Sequence, residues 1–588
     1  MFFQHQTFRR HLLRTAALAM GGLIGTAAGA QDLRNEAPRS VAPPAPQAPA
    51  EPARPETADA ALTPLAGRHL SGVVFLTDPS QVRPEGWPRS ELGRDGIDTS
   101  RVPFLAGDRG AREAYRKLAR APVTASMLYE APRLIRSAFA RAGRPFVVVT
   151  VPPQDLTDGV LQVLVVEGRL GDVRVRGNRF FPAGTYAGAI RARPGEPVDA
   201  ARLNEDLRWI GENPFRSASV TAQPGQRPGE TDLVIEAQDR RPWRVYAGID
   251  NTGNGATQAE RYQVGFNYGN FLGLGHQIAF QRAASPDNHS SEVYAASYVA
   301  PLPWRHVLTV NASSGIIRPR LPEPFAQEGH STQILTRYRM PLPALAGIRH
   351  GLAFGFDFKK SDNNLLFSDT PIIGNPTRIY QFSVTWDGQR SDKWGSTAWT
   401  ATLVHSPGGW GSENQDAAFE GSRTGATARY TYVNITVQRS TLLGAGIVMQ
   451  NNLALQWSDA NLLGSEQLAA AGAYAVRGFE ESSVNGDNGY VLRNELQMPA
   501  IAGISRRAHA RLPGDEVQFF TFADVGRVSQ HRPLVGESRA ITIGSVGAGL
   551  RWQMGSWASL RLEYGKPVHA SFGKAPGARW HTSFTVSY

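Results

Sequence analysis

The residues of this sequence with the clearest chemical potential are an arginine and an aspartate, each set among aromatic and glycine residues. Arg477 lies in the run Val-Arg-Gly-Phe at 476–479, and Asp524 lies in the run Phe-Thr-Phe-Ala-Asp-Val-Gly at 520–526. A guanidinium and a carboxylate that leave water together form strong, charge-assisted hydrogen bonds. Such a pair joins two segments of a chain and performs no reaction by itself.

Other kinds of chemistry have little support in the sequence. There is no cysteine, which excludes disulfides, zinc–thiolate sites and thiol nucleophiles. A His-Glu-x-x-His motif, a P-loop and a Gly-x-Ser-x-Gly motif are also missing. The 13 histidines are dispersed, and the net charge of +11 comes from scattered basic residues, which does not favour nucleic-acid binding. We therefore expect no enzymatic activity, cofactor, metal or nucleic-acid partner.

The first 30 residues are typical of a secretory signal peptide. Arginines at positions 9, 10 and 14 precede a small, apolar stretch at 15–26, and Ala-Gly-Ala at 28–30 forms a cleavage site. The apolar stretch is too short to span a bilayer, so we expect it to be removed. Residues 31–68 contain eight prolines and predict a linker without a core.

Residues 69–239 alternate between short strands and amphipathic helices. The order strand, two helices and two strands occurs twice, which predicts a repeated α+β module with copies at 69–168 and 169–239. Another pair of small α+β domains would give the same pattern. The predicted helices span 111–119, 126–142, 186–191 and 199–211.

Residues 240–588 predict a transmembrane β-barrel. Apolar and polar residues alternate in runs of about ten that end at Gly, Pro, Asn or Asp, as a barrel with lipid outside and water inside requires. A soluble sandwich shows the same period, but the export signal and the aromatic end of the last strand favour the barrel. The 16 antiparallel strands are predicted near residues 243, 261, 275, 291, 305, 331, 350, 378, 397, 427, 446, 488, 516, 543, 557 and 580.

The connection between the eleventh and twelfth predicted strands, roughly residues 458–487, contains the Val-Arg-Gly-Phe run. With 16 strands, this connection opens toward the cell exterior. Its residues 468–474 are small and apolar, a poor composition for a loop in water. Because an apolar loop avoids water by folding back into the barrel, we expect this connection to lie in the lumen.

The thirteenth predicted strand has side chains that suit such a loop. Asp524 is costly in lipid unless it is paired, so it must face the lumen. The period of two then places Phe520 and Phe522 on the lumen face as well. Aromatic side chains in a polar lumen need something to pack against.

The loop offers the partners that this strand requires. Phe479 would pack with the lumen-facing rings, and Arg477 would bond to Asp524. Gly478 and Gly526 would allow close approach of the two backbones. The alternative is that the arginine and the aspartate each pair with other groups in the lumen.

Together these motifs resemble those of a known superfamily. Val476-Arg-Gly-Phe479 in the sixth outer loop and Phe522-Ala-Asp-Val-Gly526 in the thirteenth strand are similar to the signature pair of Omp85 proteins. The repeated modules, with Val-Glu-Gly at 166–168 and Gly-Asn-Arg-Phe at 177–180, resemble POTRA domains. Two POTRA domains before a 16-stranded barrel are typical of two-partner secretion transporters, the TpsB family of haemolysin and adhesin exporters.

This resemblance implies type V protein secretion in the outer membrane of a Gram-negative bacterium. POTRA domains in the periplasm would recognise a secreted TpsA-type exoprotein, which would cross the barrel to the cell surface without nucleotide hydrolysis. The other implied partners are outer-membrane lipid and, during biogenesis, the barrel-assembly machinery, and the implied state is a monomer.

Two features depart from the family, and two other functions compete with export. The proline-rich segment 31–68 is a poor helix former, which argues against an N-terminal plug helix. Tyr588 occupies the final position, where phenylalanine is usual. A barrel-assembly factor usually has more periplasmic modules than two. A passive porin would not need these modules, and an uptake receptor would need a plug domain.

Overall fold

The computed structural model describes residues 69–102, 125–141 and most of 143–588, with three further residues between 103 and 124 and gaps at 145, 228, 256, 321–324, 368–369, 375, 503–513 and 536. The predicted signal peptide and linker, and nearly all of the predicted helix 111–119, lie outside the described residues. One compact unit contains the described residues up to 240, and the other contains residues 241–588. Among these residues, no helix has the length and apolarity to cross a membrane.

The first α+β domain packs one long helix against a four-stranded sheet. Gly72–Leu76 is a central strand that pairs in parallel with Ile97–Asp98 on one side and Val160–Glu167 on the other. Val147–Thr150 completes the sheet as an antiparallel edge strand. The helix Ala125–Arg141 buries Ile135, Ala138 and Phe139 in the core, which follows from their spacing on one helical face. Two short 3-10 turns span Pro79–Gln81 and Arg89–Glu91.

The second α+β domain has a three-stranded sheet. Glu230–Asp239 lies in the centre, parallel to Arg169–Arg176 and antiparallel to Arg216–Pro224. The helix Ala200–Ile210 begins at Asp199, whose side chain accepts a hydrogen bond from the Arg202 N–H at 3.0 Å. The helix predicted over 186–191 was wrong in position. It spans Ala183–Ala187 and ends at Gly188, because glycine favours helix ends over helix interiors.

The remaining chain forms a closed, antiparallel barrel of 16 strands, which confirms the predicted fold class. Every predicted strand position corresponds to one of them. The strands are β1 Trp243–Asp250, β2 Arg261–Phe271, β3 His276–Ala284, β4 Ser291–Pro301, β5 Val307–Ile317, β6 Phe325–Leu345, β7 Ile348–Phe367, β8 Thr377–Asp392, β9 Gly395–Ser406, β10 Tyr430–Gly444, β11 Ile447–Ser458, β12 Asn488–Gln497, β13 Asp515–Ser529, β14 Ala540–Met554, β15 Ala558–Ala570 and β16 Arg579–Ser587.

The barrel closes where β16 pairs with β1, with Ser587 opposite Tyr246 and Ser583 opposite Asp250. Short additional strands occur within the connections, at Thr370–Gly374, Leu468–Ala469, Asn485–Gly486 and Ile501–Ala502. A connection of 23 residues between β9 and β10, at 407–429, includes a helix, Asp416–Ser422.

Alternation along the strands identifies the two faces of the barrel wall. On β2, Tyr262 and Val264 are exposed on the outer, lipid-facing side, whereas Gln263 between them is buried. On β13, Asp524 lies opposite Arg493 of β12 and Ser545 of β14. These side chains share the lumen face, as the period of two requires.

In the second α+β domain, Asp239 holds the turn that follows the first strand. Its carboxylate accepts hydrogen bonds from the backbone N–H groups of Arg179 at 3.0 Å, Phe180 at 3.0 Å and Phe181 at 3.1 Å. The Tyr186 hydroxyl donates to the same carboxylate at 3.1 Å. Burial and the nearby Asp239 charge raise the pKa of Tyr186, so this hydroxyl remains a donor.

Replacement of this acceptor should destabilise the domain. Asp239→Ala is expected to lower the free energy of unfolding by about 2–3 kcal/mol, because several donors lose their partner at once. Urea unfolding of residues 69–240 measures this change. The control is Asp172→Ala, which removes a largely exposed carboxylate and should cost less than about 0.5 kcal/mol. Equal losses in both variants would contradict the role assigned to Asp239.

Candidate functional site

Residues 459–487, which connect β11 to β12, pack inside the barrel and are called the inserted loop. Val476 and Phe479 of this loop are buried in one apolar cluster with Val528 of β13 and Ile543 of β14. Val528 and Ile543 lie on the lumen face of their strands. Val528 is an even number of residues from Asp524, and Ile543 is an even number from Ser545, the residue opposite Asp524. The barrel wall therefore removes the apolar part of the loop from water, which stabilises it inside the lumen.

Arg477 is fully buried and bonds to three carboxylates. Its Nε donates to Asp524 Oδ2 at 2.7 Å, and its Nη2 donates to Asp524 Oδ1 at 2.9 Å. Its Nη1 donates to Glu495 Oε2 at 3.0 Å and to Glu563 Oε1 at 3.3 Å. Its backbone N–H also reaches Asp524 Oδ2 at 3.3 Å. One loop residue thus contacts β12, β13 and β15.

The lumen-facing aromatic residues of β13 lie against guanidinium groups. The Cζ atom of Arg477 is 3.6 Å from the centroid of the Phe522 ring, and that of Arg551 is 4.1 Å from the centroid of Phe520. Both are cation–π contacts. The structure does not place Phe479 on these rings as predicted. Phe479 belongs to the apolar cluster instead, since guanidinium planes already cover the rings.

Glycine residues permit the closest approaches between loop and wall. Gly478 has a φ of +87°, and a Cβ atom there would lie 2.8 Å from the Gly565 backbone on β15. A Cβ atom at Gly526 would lie 3.0 Å from Val476. The Gly478 N–H donates to His581 Nε2 of β16 at 2.8 Å. The tip of the loop therefore lies against the backbone of the wall.

Two further partners of Arg477, Glu495 and Glu563, were not predicted from the sequence. Glu495 also accepts two bonds from Arg551, at 2.6 and 2.9 Å, and Glu563 accepts one from Arg561 at 2.6 Å. Both glutamates alternate with outward-facing residues on their strands. An acid in a membrane strand indicates a lumen site in each case, and that signal was available in the sequence.

This arrangement attaches the inserted loop to the barrel wall. The guanidinium, its three carboxylates and their further arginine partners form a dense set of buried ionic hydrogen bonds that fix the loop in one position. Within the described ranges, no three His, Asp or Glu side chains are grouped so that they could hold a metal ion.

Comparisons with known proteins agree with this architecture. The profile of the haemolysin secretion/activation protein family ShlB/FhaC/HecB matches residues 229–552. The outer membrane transporter CdiB-2 of Burkholderia pseudomallei is 26% identical over 462 residues, which are 75% of this chain and 74% of that protein. CdiB of Escherichia coli O6:K15:H31 is 26% identical over 351 residues, 58% of each. The solved structure of CdiB from Escherichia coli matches with a TM-score of 0.69 at 18% identity, over 91% of this chain and 93% of that one.

A side chain at Gly478 should weaken loop insertion. Gly478→Ala combines an unfavourable positive φ with a methyl group 2.8 Å from the backbone of β15, and it should cost about 1–3 kcal/mol of insertion free energy. We expect the purified variant to conduct ions better than the wild type in planar bilayers. Gly464→Ala, whose Cβ would meet no described atom within 4 Å, is the control. If Gly478→Ala and Gly464→Ala conducted ions alike, the close contact at Gly478 would not determine how firmly the loop is inserted.

Proposed function

The chain belongs to the haemolysin secretion/activation protein family ShlB/FhaC/HecB, and we propose that its barrel exports a TpsA-type exoprotein past the inserted loop. Family members are transporters, and this chain is an outer-membrane transporter for protein secretion. The proposal that export passes the inserted loop is supported by the contact of Arg477 with the wall, which fastens residues 459–487 within the lumen. A pore blocked by part of its own chain needs a defined contact that sets its resting state.

The α+β domains would supply the means to capture an extended chain. Val147–Thr150 is an edge strand of the first sheet, and Arg169–Arg176 and Arg216–Pro224 are the edges of the second. An unfolded segment of the exoprotein would add to such an edge through backbone hydrogen bonds, with side-chain pockets adding specificity. The domains would then act as POTRA domains in the periplasm.

The remaining parts of the proposal concern energy and surroundings. Export would proceed without nucleotide hydrolysis, and the protein would have no catalytic activity. It would act as a monomer, receive its fold from the barrel-assembly machinery, and contact outer-membrane lipid through exposed side chains such as Tyr262, Val264 and Trp580. Lipid contact at such positions suits apolar and aromatic residues.

The pair Arg477 and Asp524 would hold the inserted loop in the resting state. Arg477 is the side of the contact that moves with the loop, and Asp524 is the side that belongs to the wall. A lysine could not replace Arg477, because it has neither the two-pronged geometry for Asp524 nor a planar group for the Phe522 ring.

Variants of this pair test the proposed role. Arg477→Ala and Asp524→Ala each leave buried charges without their partner, which should cost about 3–5 kcal/mol, so we expect each to reduce export at least about tenfold. Arg477→Lys should behave like Arg477→Ala. The measurement is the amount of exoprotein in the medium relative to the transporter in the outer membrane.

Two controls accompany this measurement. Heat-modifiable migration in gels shows whether each variant still forms a barrel. Lys360→Met changes an exposed charge on the outer face of β7 and should leave export unchanged. Normal export by correctly inserted Arg477→Ala and Asp524→Ala proteins would rule out the proposed role of the pair.

A further inference from the structure

Both ends of the inserted loop carry a buried acid that is separate from the Arg477 cluster. Glu466 lies near its start, and Asp487 is its last residue before β12. Both side chains have no exposed surface. A buried carboxylate is strongly unfavourable unless cations and hydrogen bonds compensate it. The groups that surround these two acids must therefore supply that compensation.

Glu466 is held by two strands of the wall. Lys359 of β7 donates its Nζ to both carboxylate oxygens, at 2.8 and 2.9 Å. The Tyr432 hydroxyl of β10 donates to Oε2 at 2.9 Å. Lys359 is itself almost fully buried on the lumen face. This ion pair therefore ties the start of the loop to a part of the wall six strands away from β13.

Asp487 is held from the connection between β9 and β10. Arg423 donates to both of its oxygens, at 2.6 and 3.1 Å. The carboxylate also accepts from the backbone N–H groups of Leu462 at 2.9 Å and His531 at 2.9 Å, and from Gln467 Nε2 at 3.1 Å. Arg423 further bonds to the carbonyl oxygen of Leu462. One arginine thus joins both ends of the inserted loop.

An apolar cluster surrounds these ionic contacts. Phe419, on the helix that precedes Arg423, is fully buried with Leu462 and Leu463 of the inserted loop and Tyr430 and Tyr432 of β10. Because this cluster excludes water, it strengthens the ionic hydrogen bonds that Glu466 and Asp487 make beside it. The ends of the loop thus have a core of their own, distinct from the cluster that contains Val476 and Phe479.

We propose that Lys359 and Arg423 are positioning residues that keep the two ends of the inserted loop inside the barrel, whether or not Arg477 is bonded to Asp524. This proposal rests on the proposed export function. Release of the Arg477 contact would free the middle of the loop, while Glu466 and Asp487 would stay fastened. An exported chain would then pass beside a loop that remains within the barrel, and the lumen would not empty completely.

Single cysteines report on the two parts of the loop, because the natural chain has none. Leu463→Cys reports on the ends and Ala473→Cys on the middle; both positions are buried. The probe is a charged, membrane-impermeant maleimide added to the purified full-length protein in liposomes. The reporters are combined with Arg477→Ala or with the double change Lys359→Met and Arg423→Met.

The expected results separate the two fastenings. Arg477→Ala should raise the labelling rate at Ala473→Cys at least about tenfold and leave Leu463→Cys protected, whereas Lys359→Met with Arg423→Met should raise labelling at Leu463→Cys by a similar factor. If Arg477→Ala exposed both reporters equally, or if Leu463→Cys stayed protected in the double variant, the proposal would be overturned.

Matched controls distinguish positioning from general damage. Lys360→Met, next to Lys359, and Arg429→Met, six residues after Arg423, change exposed side chains and should leave both reporters protected. In the Arg423→Met background, the exchange Lys359→Glu with Glu466→Lys should restore part of the protection of Leu463→Cys that Lys359→Met removes, which loss of packing alone would not do. Barrel formation is verified by heat-modifiable migration. Since no exoprotein is present, these results are independent of whether export itself occurs as proposed.

Discussion

An arginine without water contact inside a membrane barrel constrains everything around it. A buried guanidinium is strongly unfavourable unless its donors are paired. Arg477 meets this requirement through Asp524, Glu495 and Glu563, which come from three different strands. Those carboxylates must face the lumen, so the register of β12, β13 and β15 is coupled to the position of one loop residue.

The aromatic residues of β13 impose a second constraint, on the neighbouring strand. A Cβ atom at Gly547 would lie 2.4 Å from the Phe522 ring, and one at Gly549 would lie 2.5 Å from the Phe520 ring. Glycine on β14 therefore makes room for each ring, and each ring in turn supports a guanidinium. At Phe522, the loop arginine, the aromatic ring and the β14 glycine therefore pack against one another in succession.

Much of this could be predicted from the sequence, because strand geometry has a strict period. Alternation located all 16 strands, and the cost of an acid in lipid placed Asp524 on the lumen face. The same rule applied to Glu495 and Glu563 would have found the other partners of Arg477. The pairs Lys359 with Glu466 and Arg423 with Asp487 could not be found in this way. Period and composition do not show which distant lumen position a folded-in loop will meet.

Arg477 and Asp524 also differ in how their removal would change the net charge of the buried cluster. Arg477, Arg493, Arg551 and Arg561 lie around Asp524, Glu495 and Glu563, a balance of 4 − 3 = +1. Without Arg477 the cluster is neutral, at 3 − 3 = 0. Without Asp524 it is 4 − 2 = +2, a repulsive excess in a medium that screens poorly. Arg477 therefore serves mainly to attach the loop. Asp524 also offsets the positive charge of the other arginines and so reduces their mutual repulsion within the wall.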